Sequence, residues 1–514
     1  MNRARHLLQS SIIVIALLGI DKLFGLVRTQ LVGATFGTSR AYDAFTAANQ
    51  LPEVFVTMIS GGALAAAFIP VYSAYLNSAK ANESGRLANT ILTLVLLILS
   101  GISALGAVLA PWITRHVLVP GFTPEMQNLT ADLMRIILVQ TTIFGVSGVI
   151  SSILNAHQHF ILPALAPIAL NVGYLFGLFV LVPDLGIYGL AWGTVIGALL
   201  HVFIQVPGLW RYRVRIRLAL ALNLTGVHEI VRLMGPRIVT LGAVQIADLF
   251  IIRITSGLAD GATSGYFYGY YLQQLPETLF GTAVALVLFP TMAELFNKQD
   301  IAGLKRIASA GLRIIWMLTV PAAAGLVLLG KPAITVLLER GAFTPESTQL
   351  VYGIVVFFSV RVVSEATLEI AARLFFAQHN TRTPMFVALG WLATNVLLAY
   401  LLVGQLGVGG LALASSIAFT LQTAVLLYLN HRRLNGLPWR ELGLSFGRTL
   451  LATTGMAAVI VVIGRFILQP LPFLLAAGAA GLGAYLLLNL LLGGREIPTL
   501  IQLIRRQSPA NPNE

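Results

Sequence analysis

A chain of 514 residues, 57% hydrophobic and only 10% charged, falls far below the roughly 25% charge of soluble domains and reads as an integral membrane protein. Its net charge of +13 sits in short segments between apolar runs, which argues against a nucleic-acid partner and fits a topology signal facing anionic lipid headgroups. With no cysteine, a disulfide framework, a thiolate nucleophile and a thiolate metal site are all excluded.

About fourteen apolar runs long enough to span a bilayer follow one another. They lie near 10–32, 48–75, 88–114, 129–155, 161–182, 187–209, 230–255, 265–293, 309–330, 349–376, 384–404, 408–430, 446–468 and 471–492. The first follows Arg3 and Arg5 as a signal peptide would. No small-residue cleavage site follows it, and Lys22 and Arg28 interrupt it, so it is expected to be a retained helix. Lys and Arg gather in the segments that an inside N-terminus would leave in the cytoplasm, above all Arg211, Arg213, Arg215 and Arg217. Both termini are therefore expected inside. No extramembrane segment is long enough to be a domain. The cytoplasmic tail at 493–514 is expected to be disordered around Ser508-Pro509-Ala510-Asn511-Pro512.

Parts of the chain repeat. Pro163 recurs as Pro384, Gly186 as Gly407, and Gly189-Leu190-Ala191 as Gly410-Leu411-Ala412, each 221 residues on (384 less 163). Leu51-Pro52-Glu53 returns at nearly the same spacing as Leu275-Pro276-Glu277. The offset spans six helices, an even number, so both copies keep one orientation in the membrane, as in parallel-repeat transporters. The expected fold is an all-α integral membrane protein with two six-helix lobes, 8–210 and 228–432, plus two C-terminal helices at 446–492 outside the repeat.

Ionisable groups inside a bilayer cost about 2.5–3.5 kcal/mol each on insertion scales, so they face a cavity or a partner. The first helix carries Asp21, Lys22 and Arg28. Lys22 and Arg28 are about 120° apart on a straight helix, and a bend at Gly25 would turn them to one cavity. Alternatively, Asp21 neutralises Lys22 and Arg28 snorkels outward. The tenth helix carries Arg361, Glu365, Glu369 and Arg373 at four-residue steps along one face. Pairs Arg361–Glu365 and Glu369–Arg373 follow, with a repulsive centre unless a proton or cation intervenes. This is either a polar cavity wall or a structural stripe between helices. The seventh helix holds Arg237, Gln245, Asp248 and Arg253, with Asp248 and Arg253 on roughly opposite sides. Asp248 and Asn395 offer oxygen ligands of the kind a sodium ion takes; the competing reading is helix-to-helix hydrogen bonding. His157 and His159 read as loop histidines.

Several of these residues fall in motifs that resemble the MurJ/MviN family, lipid II flippases of the multidrug/oligosaccharidyl-lipid/polysaccharide exporter superfamily. The resemblance rests on Gly25-Leu26-Val27-Arg28, Phe36-Gly37, Asp43-Ala44-Phe45, Leu51-Pro52, Gly62-Ala63-Leu64 and Ala67-Phe68-Ile69-Pro70. It continues through Leu154-Asn155-Ala156, Phe160, Pro163, Pro167 and Asn171, then Val287-Leu288-Phe289-Pro290 and Leu338-Glu339-Arg340-Gly341-Ala342-Phe343-Thr344. It ends on Arg373, Phe375-Phe376-Ala377 and Asn380-Thr381-Arg382-Thr383-Pro384.

The resemblance implies two lobes around a hydrophilic cavity and a groove for a polyprenyl tail on helices thirteen and fourteen. The implied activity is movement of a lipid-linked disaccharide-pentapeptide diphosphate from the inner to the outer leaflet by alternating access, with no covalent chemistry. Arg28 and Lys22 would hold the diphosphate, with Arg373, Arg361 and Arg237 as further binding candidates. Glu365, Glu369, Asp43, Pro52 and Pro276 read as coupling or gating positions. The chain departs from the family where Val56 and Tyr271 stand at positions that commonly carry arginines, Thr29 at an acidic position, Gly61 at a glutamate, and Lys22 at an arginine. Two rival readings stay open: a flippase for another polyprenyl-linked glycan and a cation-coupled drug exporter of the same superfamily. A membrane enzyme would need an extramembrane catalytic loop that the sequence lacks. No cofactor is expected beyond a coupling sodium ion or proton. Expected partners are membrane lipid, the polyprenyl-diphosphate-linked glycopeptide and proteins of cell-wall synthesis.

Overall fold

The computed structural model describes the backbone of residues 2–61, 63–78, 81–494 and 496. It describes their side chains apart from those of 2–16, 18, 59–61, 81–82, 236–237, 240 and 243. Every regular element among the described residues is helical. In chain order these are α1 (Asn2–Phe36), α2 (Arg40–Leu76), α3 (Glu83–Leu118), α4 (Pro124–Ala156), α5 (Ile161–Leu185), α6 (Ile187–Arg211) and α7 (Thr225–Thr255). They continue as α8 (Ala262–Asn297), α9 (Ile301–Leu337), α10 (Pro345–Ala377), α11 (382–406), α12 (408–433), α13 (Trp439–Gly464) and α14 (Pro470–Leu491). A helix stands at each of the fourteen expected positions.

Ten of the described helices are long and apolar enough to cross a membrane, with α11 and α12 counted as one continuous helix, Arg382–Arg433. α1, α7 and α10 carry the charges singled out above. α11 and α12 part at Gly407, whose φ of 55° and ψ of −136° are non-helical. Gly186, its repeat counterpart, has φ 55° and ψ −137° between α5 and α6. A side chain rarely adopts such a left-handed conformation, so glycine is needed at both turns. The capping is duplicated too. Thr123 accepts from Met126 N–H at the start of α4 with Pro124 in its first turn, and Thr344 accepts from Ser347 N–H at the start of α10 with Pro345 in the same place.

Two compact units result. One is Met1–Ser264 with Arg340–Phe343; the other is Gly265–Glu339 with Thr344–Glu514. In the first unit, α7 packs on α2 and α3, so this unit runs past the lobe boundary at 210–228 expected from the repeat. Its core gathers Leu64, Phe68, Tyr72, Leu87, Ile91, Leu99, Ile150, Leu154 and Ile230. Lipid tails are as apolar as leucine, so close packing of small residues does much of the joining. Gly173 and Gly177 on α5 face Gly189, Gly193 and Gly197 on α6, and a Cβ on Gly173 would sit 2.1 Å from Gly197 Cα. Between α4 and α6, buried Gln205 donates to Ser147 Oγ (2.7 Å) and accepts from Ser151 Oγ (2.7 Å).

In the second unit, Leu288, Met292, Leu312, Ile315, Ile370, Leu374, Phe375 and Leu426 form the main core. α10 is tied to α12 by Thr423 Oγ1 donating to Ser364 O and by Asn430 Nδ2 donating to Ala371 O. α13 and α14 lean on α9 through Met317, Met456, Ile460 and Ala477, and Tyr485 donates to Met317 O at 2.6 Å. The tail expected at 493–514 lies outside the described residues from 497 onward.

Candidate functional site

In the first unit the charges of α1 stand against α5 and α2. Arg28 lies over the Tyr174 ring, 4.6 Å from its centroid, and is held there by the cation–π attraction. Asp21 accepts from Asn171 Nδ2 at 2.9 Å, a family-motif asparagine of α5. Arg28 lies within electrostatic reach of both Asp21 and Glu53. Lys22 is exposed and Arg28 half-buried on one continuous helix. The structure thus gives Arg28 a defined seat and leaves Lys22 projecting from the helix. Glu53 was not anticipated as a site residue, although the repeated Leu-Pro-Glu triplet marks it.

Pro52 lies inside α2, and a π-helical stretch, Val56–Gly61, follows it. Pro276 stands at the same place in α8, followed by π-helical Glu277–Thr282. Proline removes a backbone donor and crowds the preceding turn, and the wider π turn absorbs the mismatch. The two prolines are thus followed by matched π-helical distortions.

Asp43 is 2% exposed near the start of α2. Its two carboxylate oxygens accept from Gly261 N–H and Ser264 N–H, each at 2.7 Å. Beside it, Arg40 donates to Asp260 at 2.6 Å. Asp43 thus ties the α7–α8 turn to the start of α2 within the first unit.

In the second unit the α10 ladder is built as its spacing predicts. Arg361 donates through Nε and a terminal nitrogen to Glu365 (2.9 and 3.2 Å) and through the other to Ser415 Oγ (2.8 Å). Its guanidinium also lies 4.1 Å from the Phe419 centroid and 4.9 Å from that of Tyr270. Arg373 pairs with Glu369. Gln273 of α8 donates to Glu365 at 3.1 Å. Glu277, one turn further, is 6% exposed and accepts from Thr282 (3.1 Å) and Thr278 (3.3 Å). Sequence reasoning found the four α10 residues and missed Gln273, Glu277, Tyr270 and Ser415, because their role appears only when α8, α10 and α12 come together.

The remaining candidates lie on other elements. The Arg237 side chain lies outside those described. Asp248 is half-buried on α7 in the first unit, while Asn395, 3% exposed on α11, belongs to the second. Asn395 Oδ1 has no hydrogen-bond partner among the described residues. Arg253 holds the end of α3, donating to His116 O and Val117 O at 2.7 and 2.8 Å. His157 caps α4, and its ring stacks on Tyr212 with centroids 4.7 Å apart. Burial lowers the affinity of both His157 and His159 for a proton, and Arg211 adds to the effect at His159.

The sequence model for the family described as "Lipid II flippase MurJ" matches residues 32–477. The chain belongs to the lipid II flippase MurJ family. The probable lipid II flippase MurJ of Rhizobium tropici is 28% identical over 509 residues, covering 95% of each chain. That of Bdellovibrio bacteriovorus is 30% identical over 414 residues, covering 80% of this chain and 79% of its own. A solved structure titled "Lipid II flippase MurJ, inward closed conformation" superposes with a TM-score of 0.81 at 23% identity, covering 93% of this chain and 98% of that one. A multidrug resistance MATE family transporter of the MOP superfamily in an inward-facing conformation superposes at 0.70 with 13% identity, over 82% and 98%. The MurJ fold is thus shared with a wider set of transporters. Membership makes this a multi-pass membrane transporter and not an enzyme.

Proposed function

We infer that this chain is a lipid II flippase, carrying the lipid-linked peptidoglycan precursor across the membrane for cell-wall synthesis. The carrying observation is the family match over residues 32–477. The rival readings, another polyprenyl-linked glycan or an organic cation, are not favoured by it.

The residue placed to meet the substrate is Arg28. It is a fixed cation on a charged helix, seated on Tyr174 and only half-buried. A guanidinium binds a diphosphate through paired charge-assisted hydrogen bonds, which strengthen away from bulk water. Exposed Lys22 adds a mobile point charge on the same helix. The diphosphate is held by Arg28 and Lys22 while the site is exposed alternately to the two membrane faces, and the polyprenyl tail stays in lipid. Val56 and Tyr271 at positions where the family commonly has arginines leave Arg28 a larger share of the binding. A coupling proton or sodium ion, contacts with proteins of cell-wall synthesis, a cytoplasmic-membrane location and cytoplasmic termini belong to the same proposal.

The test is rescue of a bacterium depleted of its own lipid II flippase. Wild-type chain is expected to restore growth, and Arg28→Ala to abolish rescue at equal membrane abundance. Full rescue by Arg28→Glu would remove Arg28 from substrate binding.

A further inference from the structure

The charges between α8 and α10 do not balance. Three carboxylates, Glu277, Glu365 and Glu369, meet two guanidiniums, Arg361 and Arg373. Arg361 is bound to Glu365 and Arg373 to Glu369. Glu277 makes no ion pair among the described residues. It has only the hydroxyls of Thr278 and Thr282, and Arg361, Arg373 and Glu365 within electrostatic reach. It is nevertheless 6% exposed. A lone carboxylate so placed is expensive to keep charged inside a membrane, and neutralisation is its ordinary remedy.

A second observation points to what neutralises it. Gln273 lies one turn before Glu277 on the same face of α8 and is fully buried. Its Nε2 is spent on Glu365, and its Oε1, an acceptor, has no partner among the described residues. An acceptor without a donor, one helical turn from a carboxylate without an ion pair, leaves a carboxyl O–H a partner to find. The backbone holds the carboxylate in place. A Cβ on Gly281 would lie 2.6 Å from Ala366 Cβ and 2.9 Å from Glu277 Oε1, so this glycine alone lets the π-helical stretch of α8 press Glu277 against α10.

Nothing else packed there supplies a cation. α9 has no ionisable residue from 314 to 330, and Arg313 lines a separate cavity with Asp300, Lys305, Arg306 and Glu441. α8 has none from 283 to 293. α10 presents only the four residues already counted. Glu53, the Leu-Pro-Glu counterpart in α2, likewise makes no ion pair among the described residues and has a guanidinium, Arg28, within electrostatic reach.

We propose that Glu277 is the proton-binding group of the second unit, with Gln273, Thr278 and Thr282 as its cradle. This deepens the transport reading above, on which its role in coupling rests. In the loading step water delivers a proton and an O–H bond forms on the Glu277 carboxylate. In the release step that bond breaks, the proton returns to water, and the carboxylate turns to the guanidiniums of Arg361 and Arg373. Release therefore competes with the Arg361–Glu365 and Arg373–Glu369 pairs, which gives the protonation state a lever on how α8 sits against α10.

The test is pH-difference infrared spectroscopy on the full-length protein in lipid bilayers without added lipid II, reading the C=O band of protonated carboxyl groups. A band component that survives above the pH range of exposed carboxylates and vanishes as pH is raised further is expected in wild type, and that component is expected to be missing in Glu277→Gln. Glu277→Asp is expected to shift the band while keeping its titration, and serves if Glu277→Gln does not fold. Absence of that component in wild type, its undiminished persistence in folded Glu277→Gln, or its displacement by sodium at constant pH would overturn the proposal. Because no substrate is in the sample, this outcome is independent of the growth-rescue result that tests lipid II flipping.

Discussion

Asp43 Oδ1 accepts a 2.7 Å hydrogen bond from the backbone N–H of Ser264, the residue 221 positions further along the chain. The two helices are repeat partners, carrying Leu51-Pro52-Glu53 and Leu275-Pro276-Glu277, so the start of one copy's helix is tied to the start of the other's. The side chain of the first copy satisfies the backbone of the second, and the same carboxylate also takes Gly261 N–H. Replacing Asp43 by alanine leaves two buried donors without an acceptor, at about 1–3 kcal/mol each. Asp43→Ala is expected to lower the thermal midpoint of the purified protein clearly, and Asp43→Asn, which keeps one acceptor oxygen, to lower it less. Equal midpoints for the two variants would show that the carboxylate shape does not matter.

Arg361 and Glu365 make a second test. Removing one member of a buried pair costs about 3–5 kcal/mol, whereas replacing both by apolar groups is often close to neutral. Arg361→Met is therefore expected to destabilise strongly, and Arg361→Met with Glu365→Leu to recover much of the loss. A double-mutant cycle by chemical denaturation in detergent measures this, and additive effects would mean that the pair contributes little.

The α5–α6 contact predicts an asymmetry between glycines. Gly173→Ala places a methyl 2.1 Å from Gly197 Cα, and backbone cannot swing aside as a side-chain tip does. Gly390→Ala on α11 meets nothing within 4 Å. The first variant is expected to lose folded protein by size-exclusion profile, and the second to match wild type.

Two histidines set a pH dependence at the ends of α4 and α5. Both His157 and His159 hold their protons less readily than the ordinary value of 6.5 because they are partly buried. The Nε2 atoms of both are buried without a hydrogen-bond partner among the described residues. The unfolded chain thus binds more protons just below pH 6.5, and stability falls as pH drops through that value. Thermal midpoints are expected to decrease from pH 7.5 to 5.5, and the His157→Gln/His159→Gln double variant to flatten the slope.

Much of this architecture is legible in the sequence because membrane helices announce themselves by length and hydropathy, and because the 221-residue offset repeats. Gly186 and Gly407 stand out in the sequence and turn out to share one backbone conformation. The α10 ladder is equally legible, since four-residue steps determine its pairing. What escaped is whatever depends on a neighbour far along the chain. Glu277 looks like half of a proline motif until Glu365 and Arg361 of α10 come within its electrostatic reach. Arg253, read as an intramembrane charge, is a cap for α3. The boundary of the first unit escaped as well, because packing of α7 on α2 and α3 leaves no local mark.

The first unit reaches forward to claim Arg340–Phe343. Ala342 N–H donates to Ala34 O at 2.8 Å, and Cβ atoms on Gly37 and Gly341 would each lie within 2.3 Å of a carbonyl oxygen across this contact. The end of α1 therefore waits for a segment made some three hundred residues later. During synthesis, α1 to α7 can be inserted and packed, yet one edge of their unit stays open until α8 and α9 have left the ribosome. A chain cut between α7 and α10 would carry every helix of the first unit and still lack its final clasp.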